Sequence, residues 1–221
     1  LPYDAQFTPY LSVRAVTGKT INIYTDHDIV TNEQCIRAQY VTRSGEQDYE
    51  SLGWMNGQEV YYTIPEGVEV LGVKYRETGY DADFSGTFQC SEDFFNRLWQ
   101  RSARTLYVNM RDTYFDCPDR ERAQWWGDVV NELQQCRYVL SSSASQLTDK
   151  AIRELMGWQR ADNVLFSPCP AGNWQGELPA QSLMSVGWYG FYQHYMLNGD
   201  SAFVADYYDG IHRYLHNVWK T

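Results

Sequence analysis

The chain has 221 residues with 28 acidic against 18 basic side chains, a formal charge of −10, and 16% of it is aromatic. That much buriable ring surface excludes a disordered chain, and the acidic balance argues against a nucleic-acid partner, whose phosphates are neutralised by Lys and Arg. No stretch approaches the ~20 apolar residues of a membrane helix, so no membrane partner is expected. The aromatic excess in a hydrophilic chain suggests rings facing something planar or sugar-like.

Residues 1–90 hold 13 of the acidic and 6 of the basic groups, and their apolar residues come in short alternating runs: Ile21–Tyr24, Glu59–Ile64 and Val68–Val73. Turn signals separate them at Thr17-Gly18-Lys19, Arg43-Ser44-Gly45, Asn56-Gly57 and Pro65-Glu66-Gly67. Asn56-Gly57 is expected to close a hairpin, since that pair adopts two positive φ angles readily. An antiparallel sandwich is the simplest assembly of such strands.

From residue 91 the apolar spacing changes from two to three and four. Ser91-Glu92-Asp93 predicts a helix start, with a capping hydroxyl and carboxylates at the positive end of the dipole. That helix carries Phe95, Leu98, Trp99, Leu106 and Met110 along one side. A second is expected from Asp128, capped by Gly127-Asp128, with Val129, Leu133, Cys136 and Leu140 inward; a third covers 145–159 through Leu147, Ala151, Leu155 and Trp158. A fourth runs over 181–197 through Met184, Trp188, Phe191, Tyr192 and Tyr195, ended by Asn198-Gly199-Asp200. Phe203, Tyr207, Ile211, Tyr214 and Val218 form a last stripe with no stop signal, so the chain is expected to end inside a larger architecture. Such helices build half a toroid or a bundle.

Cys35, Cys90, Cys117, Cys136 and Cys169 are odd in number and lack a CxxC pair, so they read as mostly free thiols. His212 and His216 are spaced i,i+4, but no HExxH accompanies them, and they read as surface or core histidines. No metal and no cofactor is expected. The compartment is left open, with export to the periplasm or exterior favoured over the cytoplasm, because Leu1 is not an initiator Met.

Between the first two helices, residues 116–128 gather Asp116, Asp119, Glu121 and Asp128 with Arg120, Arg122, Trp125 and Trp126. Pro118 pushes Cys117 away from helical geometry, so these carboxylates converge from a loop. One acid to protonate a leaving oxygen, further carboxylates to bind hydroxyls and rings for sugar C–H faces is what glycoside hydrolysis requires. Asp128 is also well placed as a simple helix cap. In the later loop 170–179, Trp174 is a further candidate sugar platform, and Glu177 reads as a solvated loop acid or, less readily, a base.

Asp116-Cys117-Pro118-Asp119-Arg120-Glu121-Arg122, followed by Trp125-Trp126-Gly127-Asp128, closely resembles the signature of bacterial α-L-rhamnosidases of glycoside hydrolase family 78. Val73–Glu77 looks like that family's last β-domain strand, and Gly86–Ser91 with Asn96-Arg97-Leu98 looks like its entry into the first barrel helix. The resemblance implies an α+β fold: a jelly-roll-like sandwich over residues 1–90, then the first helices of an (α/α)6 barrel over 91–221, truncated. It implies inverting hydrolysis of terminal α-L-rhamnosyl residues from a carbohydrate substrate. Glu121 would be the general acid, Asp116 and Arg120 would hold sugar hydroxyls, Trp125, or else its neighbour Trp126, would line the pocket as a sugar-facing ring, and Asp128 would bind substrate or steady the transition state. Many members have one more residue between the motif arginine and its tryptophan. The family's base is another glutamate far downstream, so the 221 residues alone are expected to turn over little. Exposed apolar helix faces are expected to make an isolated piece self-associate or lean on a neighbour.

Two other classes fit the same residues. A carbohydrate-binding module needs no base. Another (α/α)-barrel exo-glycosidase or a lyase is the third reading; a lyase would want a Tyr or His base near its arginine, and the loop offers Tyr114 but no histidine.

Overall fold

The computed structural model describes residues 1–27, 37–170 and 176–220, which fall into two compact units. Leu1–Gly79 with Pro118–Arg120 form one, and Tyr80–Cys117 with Glu121–Thr221 form the other. No helix among the described residues is long and apolar enough to cross a membrane.

The first unit is built from β1 (Ala5–Ala15), β2 (Thr20–Thr25), β3 (Arg37–Val41), β4 (Gly45–Glu50), β5 (Met55–Gly57), β6 (Val60–Thr63) and β7 (Glu69–Glu77). Every pairing is antiparallel: β1 lies against β4, β5 and β7 in one sheet, while β2 lies between β3 and β6 in the other. Along β1 the period of two points Phe7, Leu11 and Val13 to one side. Ile21 and Ile23 of β2 and Met55 of β5 close the same core, so the two sheets form a sandwich. Each such fully buried side chain contributes roughly 1.5–3 kcal/mol.

Asn56-Gly57 does not close a hairpin. The strand it ends pairs with β1, and β6 pairs with β2, so the chain changes sheets there. Gly57 serves a close approach instead: a Cβ on it would lie 2.6 Å from Asp26 Oδ1 and 2.8 Å from Thr25 Cβ.

The second unit contains α1 (Asp93–Val108), α2 (Trp126–Val139), α3 (Ala144–Gly157), α4 (Pro179–Val186), α5 (Gln193–Asn198) and α6 (Ser201–Arg213). Its core takes Leu106 from α1, Val129, Leu133 and Cys136 from α2, and Leu147, Ala151 and Leu155 from α3. Phe95 and Leu98, expected inward on α1, are half exposed at 50% and 48%. The expected hydroxyl cap is absent there: Glu92 precedes the first turn without a side-chain cap, and Asn96 bonds back to the backbone of Cys90 with both amide atoms.

The expected fourth helix is two. α4 begins earlier, with Pro179 in its first turn where a missing N–H costs nothing. A π-helical turn over Trp188–Tyr192 then joins it to α5. Gly190 makes that turn feasible, because a Cβ there would sit 1.8 Å from the Ser185 carbonyl oxygen. Gly199, at φ +70°, ends α5, and Asp200 Oδ1 caps α6 by accepting from Phe203 N–H at 2.9 Å. A second π-helical turn spans Tyr214–Val218. Cys90, Cys117, Cys136 and Cys169 are free thiols; Cys35 lies outside the described residues.

Candidate active site

The carboxylate loop is tied at its neck by two bonds. Asp116 N–H donates to the Ala123 carbonyl at 2.9 Å, and Ala123 N–H donates to Asp116 Oδ1 at 3.1 Å. Beneath the neck, Phe115 N–H donates to the Asn109 carbonyl at 2.7 Å, fastening the loop to the end of α1. Tyr114 is fully buried, its hydroxyl sharing a 2.8 Å hydrogen bond with Thr148 Oγ1, so it offers no lyase base to a ligand.

On the far side, Trp125 bridges Pro168 like a strand residue, and Trp126 N–H donates to the Ser167 carbonyl at 2.8 Å. These bonds hold the chain extended through Trp125, so α2 starts at Trp126. Asp128 is therefore not the cap that its sequence position suggests. It lies in the first helical turn, on the surface, where the dipole favours a negative charge.

Four carboxyl groups influence one another here. Burial and the adjacent Glu121 carboxyl raise the pKa of Asp116 to about 6, against the pull of the Ala123 and Cys117 backbone N–H groups. Asp128 is raised by partial burial and by the charge of Glu121. Glu132, one turn further along α2, is only 7% exposed, and burial with the charges of Asp128 and Asp116 pushes it well above the usual carboxylate range. Burial and mutual repulsion make Asp116, Asp128 and Glu132 harder to ionise than free carboxyls, the direction that a proton-donating site requires. The reading from sequence missed Glu132. Its signal was the i,i+4 spacing from Asp128, which stacks the two on one helix face.

A cleft of about 480 Å³ opens between α1 and α2, lined among others by Asp116, Asp128, Glu132, Asn109, Trp99 and Tyr138. That volume suits a small polar ligand. Asp116, Cys117 and Glu121 bring ligand atoms within 4.8 Å of one another, as a metal would need. The Cys117 thiol donates to Glu121 Oε2 at 3.1 Å.

Arg120 is exposed and belongs with Pro118 and Asp119 to the first unit. Trp125 is half-buried. Trp126 is corrected from sugar platform to core: it is 0% exposed and meets Phe191 edge-on with ring centroids 6.0 Å apart. Trp174 lies outside the described residues. Glu177 is no solvated loop acid, since its Oε1 accepts from the buried Tyr214 hydroxyl at 2.6 Å.

Within the first unit, Asp119 Oδ2 lies 2.8 Å from His27 Nδ1, and Asp4 Oδ2 is 3.8 Å from Nε2. The bond to Asp119 raises His27 from 6.5 to about 9, against its partial burial. A raised histidine stabilises in full below its unfolded value and loses this as pH climbs through the folded one. Urea unfolding of the wild type is therefore expected to lose about 2 kcal/mol between pH 6.5 and 9 relative to His27→Gln. Identical pH slopes for the two would contradict the pairing.

Residues 83–221 match the family model described as the bacterial alpha-L-rhamnosidase 6 hairpin glycosidase domain. The chain belongs to that family. The carboxylate loop, α2 and the cleft all lie inside this six-hairpin rhamnosidase domain. An alpha-L-rhamnosidase of Formosa agariphila is 40% identical over an alignment of 147 residues that covers 59% of this chain and 15% of the relative. The GH78 family rhamnosidase of Bacillus sp. GL1 superposes with a TM-score of 0.86 at 20% identity, covering 97% of this chain and 23% of that one. The Streptomyces avermitilis alpha-L-rhamnosidase complexed with L-rhamnose gives 0.78 at 19% identity, over 98% of this chain and 22% of that one. These likenesses show the fold: antiparallel sandwich followed by helices of the six-hairpin domain. The chain thus spans under a quarter of these relatives.

Proposed function

We propose that this chain carries the acid half of an α-L-rhamnosidase that cleaves terminal α-L-rhamnosyl residues with inversion. The observation that carries the reading is the Asp116–Glu121 pair, raised to about 6 at Asp116, beside a cleft of the rhamnosidase domain. The Asp116 and Glu121 carboxyls are hydrogen-bonded to each other, and the exposed member, Glu121, is the one that can hand a proton to a glycosidic oxygen. Asp116, fixed by Ala123, keeps an oxygen for a sugar hydroxyl. Asp128 supports positive charge as the bond breaks, and Trp125 offers a ring face.

Inversion needs a base carboxylate roughly 6.5–9.5 Å from the acid. Glu177 is engaged by Tyr214, so the base is assigned to the longer protein. The test is a panel of aryl glycosides given to the full-length protein. Turnover of the α-L-rhamnoside with release of the β-anomer first is expected; turnover of another glycoside alone, or release of an unsaturated product, would replace the reading.

A further inference from the structure

Glu132 is a costly residue for its position. Its helix neighbours Val129, Leu133 and Cys136 are buried and apolar, and Glu132 is 7% exposed with them. Its Oε2 has no hydrogen-bond partner among the described residues. An unpartnered buried oxygen of this kind costs ~1–3 kcal/mol, whereas an apolar side chain of the same length costs nothing comparable. Asn109 Oδ1, at the end of α1, is a second buried acceptor without a partner, and both residues line the same cleft. Two buried polar atoms without partners, on residues that line one cleft, mark a place where a ligand supplies hydrogen-bond partners.

A metal ion is a poor match. Among the described residues only Asp116, Cys117 and Glu121 cluster tightly enough for one, and Glu132 is not among them. A neutral ligand rich in hydroxyl groups fits better.

We propose that Glu132 is a sugar-contacting residue: it hydrogen-bonds a hydroxyl of the bound ring from the floor of the cleft, with Asn109 as a second acceptor, and so helps to select the sugar. The inference rests on the rhamnosidase reading and adds a specificity residue to it. Burial and the charges of Asp128 and Asp116 push Glu132 toward its neutral form, in which a carboxyl both donates and accepts.

The test is L-rhamnose binding by calorimetry to the full-length protein, its Glu132→Gln and its Glu132→Met variants, with thermal melts of each. Gln keeps an uncharged donor and acceptor, so affinity within threefold of wild type is expected. Met keeps the length and removes both, so binding about tenfold weaker is expected, with a melting temperature at or above that of wild type. Wild-type affinity in the Met variant would overturn the inference and leave the rhamnosidase reading intact. Failure of the wild type itself to bind L-rhamnose would remove both. If the Met variant does not fold, the 13C resonance of the Glu132 carboxyl in the wild type decides: a shift on adding L-rhamnose supports the contact, and none overturns it.

Discussion

Glu121→Gln in the full-length protein is expected to lower kcat on an alkyl α-L-rhamnoside by about 10²–10⁴-fold, the span usual for removing a general acid. Gln has the same shape and the position is exposed, so far-UV circular dichroism and melting temperature should not move. What changes is the proton. The amide cannot supply one to the leaving oxygen, and it cannot share one with Asp116, so the raised pKa of about 6 at Asp116 loses one of its causes. A nitrophenyl rhamnoside, whose leaving group needs little protonation, should lose much less than the alkyl substrate. Equal losses on the two would mean that Glu121 binds substrate without donating to it, and unchanged activity on both would remove it from the reaction.

Trp126→Ala is expected to destabilise the chain by about 3–5 kcal/mol, the usual cost of emptying a fully buried large aromatic site. The ring is 0% exposed, packs on Phe191 and belongs to the core formed by α1, α2 and α3. The same change at the half-buried Trp125 should cost less stability and weaken sugar binding instead. Urea unfolding with a sugar-binding assay on both variants separates the two adjacent rings. A Trp126→Ala protein as stable as wild type but deficient in sugar binding would contradict the core assignment.

This pair shows where the sequence was legible. Residues 125–126 gave two tryptophans in a motif, and nothing local distinguishes a ring facing a ligand from one facing Phe191. The distinction comes from Ser167 and Pro168, forty residues away, which fix where α2 begins. For the same reason Asp128 looked like a cap and proved to lie in the first turn. The i,i+3/i+4 pattern carried α2 and α3 well because their buried faces, such as Val129, Leu133 and Cys136, are continuous. It misled on α1, where Phe95 and Leu98 share the stripe of Leu106 but remain half exposed. β1 was not anticipated: Pro9 lies within it, and a proline in a run argues against a central strand. Asn56-Gly57 has strong hairpin chemistry, yet its two strands join different sheets, a choice made by pairing across the chain. The carboxylates of the loop were visible as a group in sequence. Glu132 was not, because one glutamate on an otherwise apolar helix face acquires meaning only when the cleft above it is seen.

The most direct measurement is a crystal structure of the full-length protein with L-rhamnose bound. The account predicts the sugar in the cleft between α1 and α2, within hydrogen-bond reach of Asp116 and Asp128, with the Glu121 carboxyl directed at its anomeric oxygen. L-rhamnose seated elsewhere, with Asp116, Glu121 and Asp128 out of contact, would contradict it.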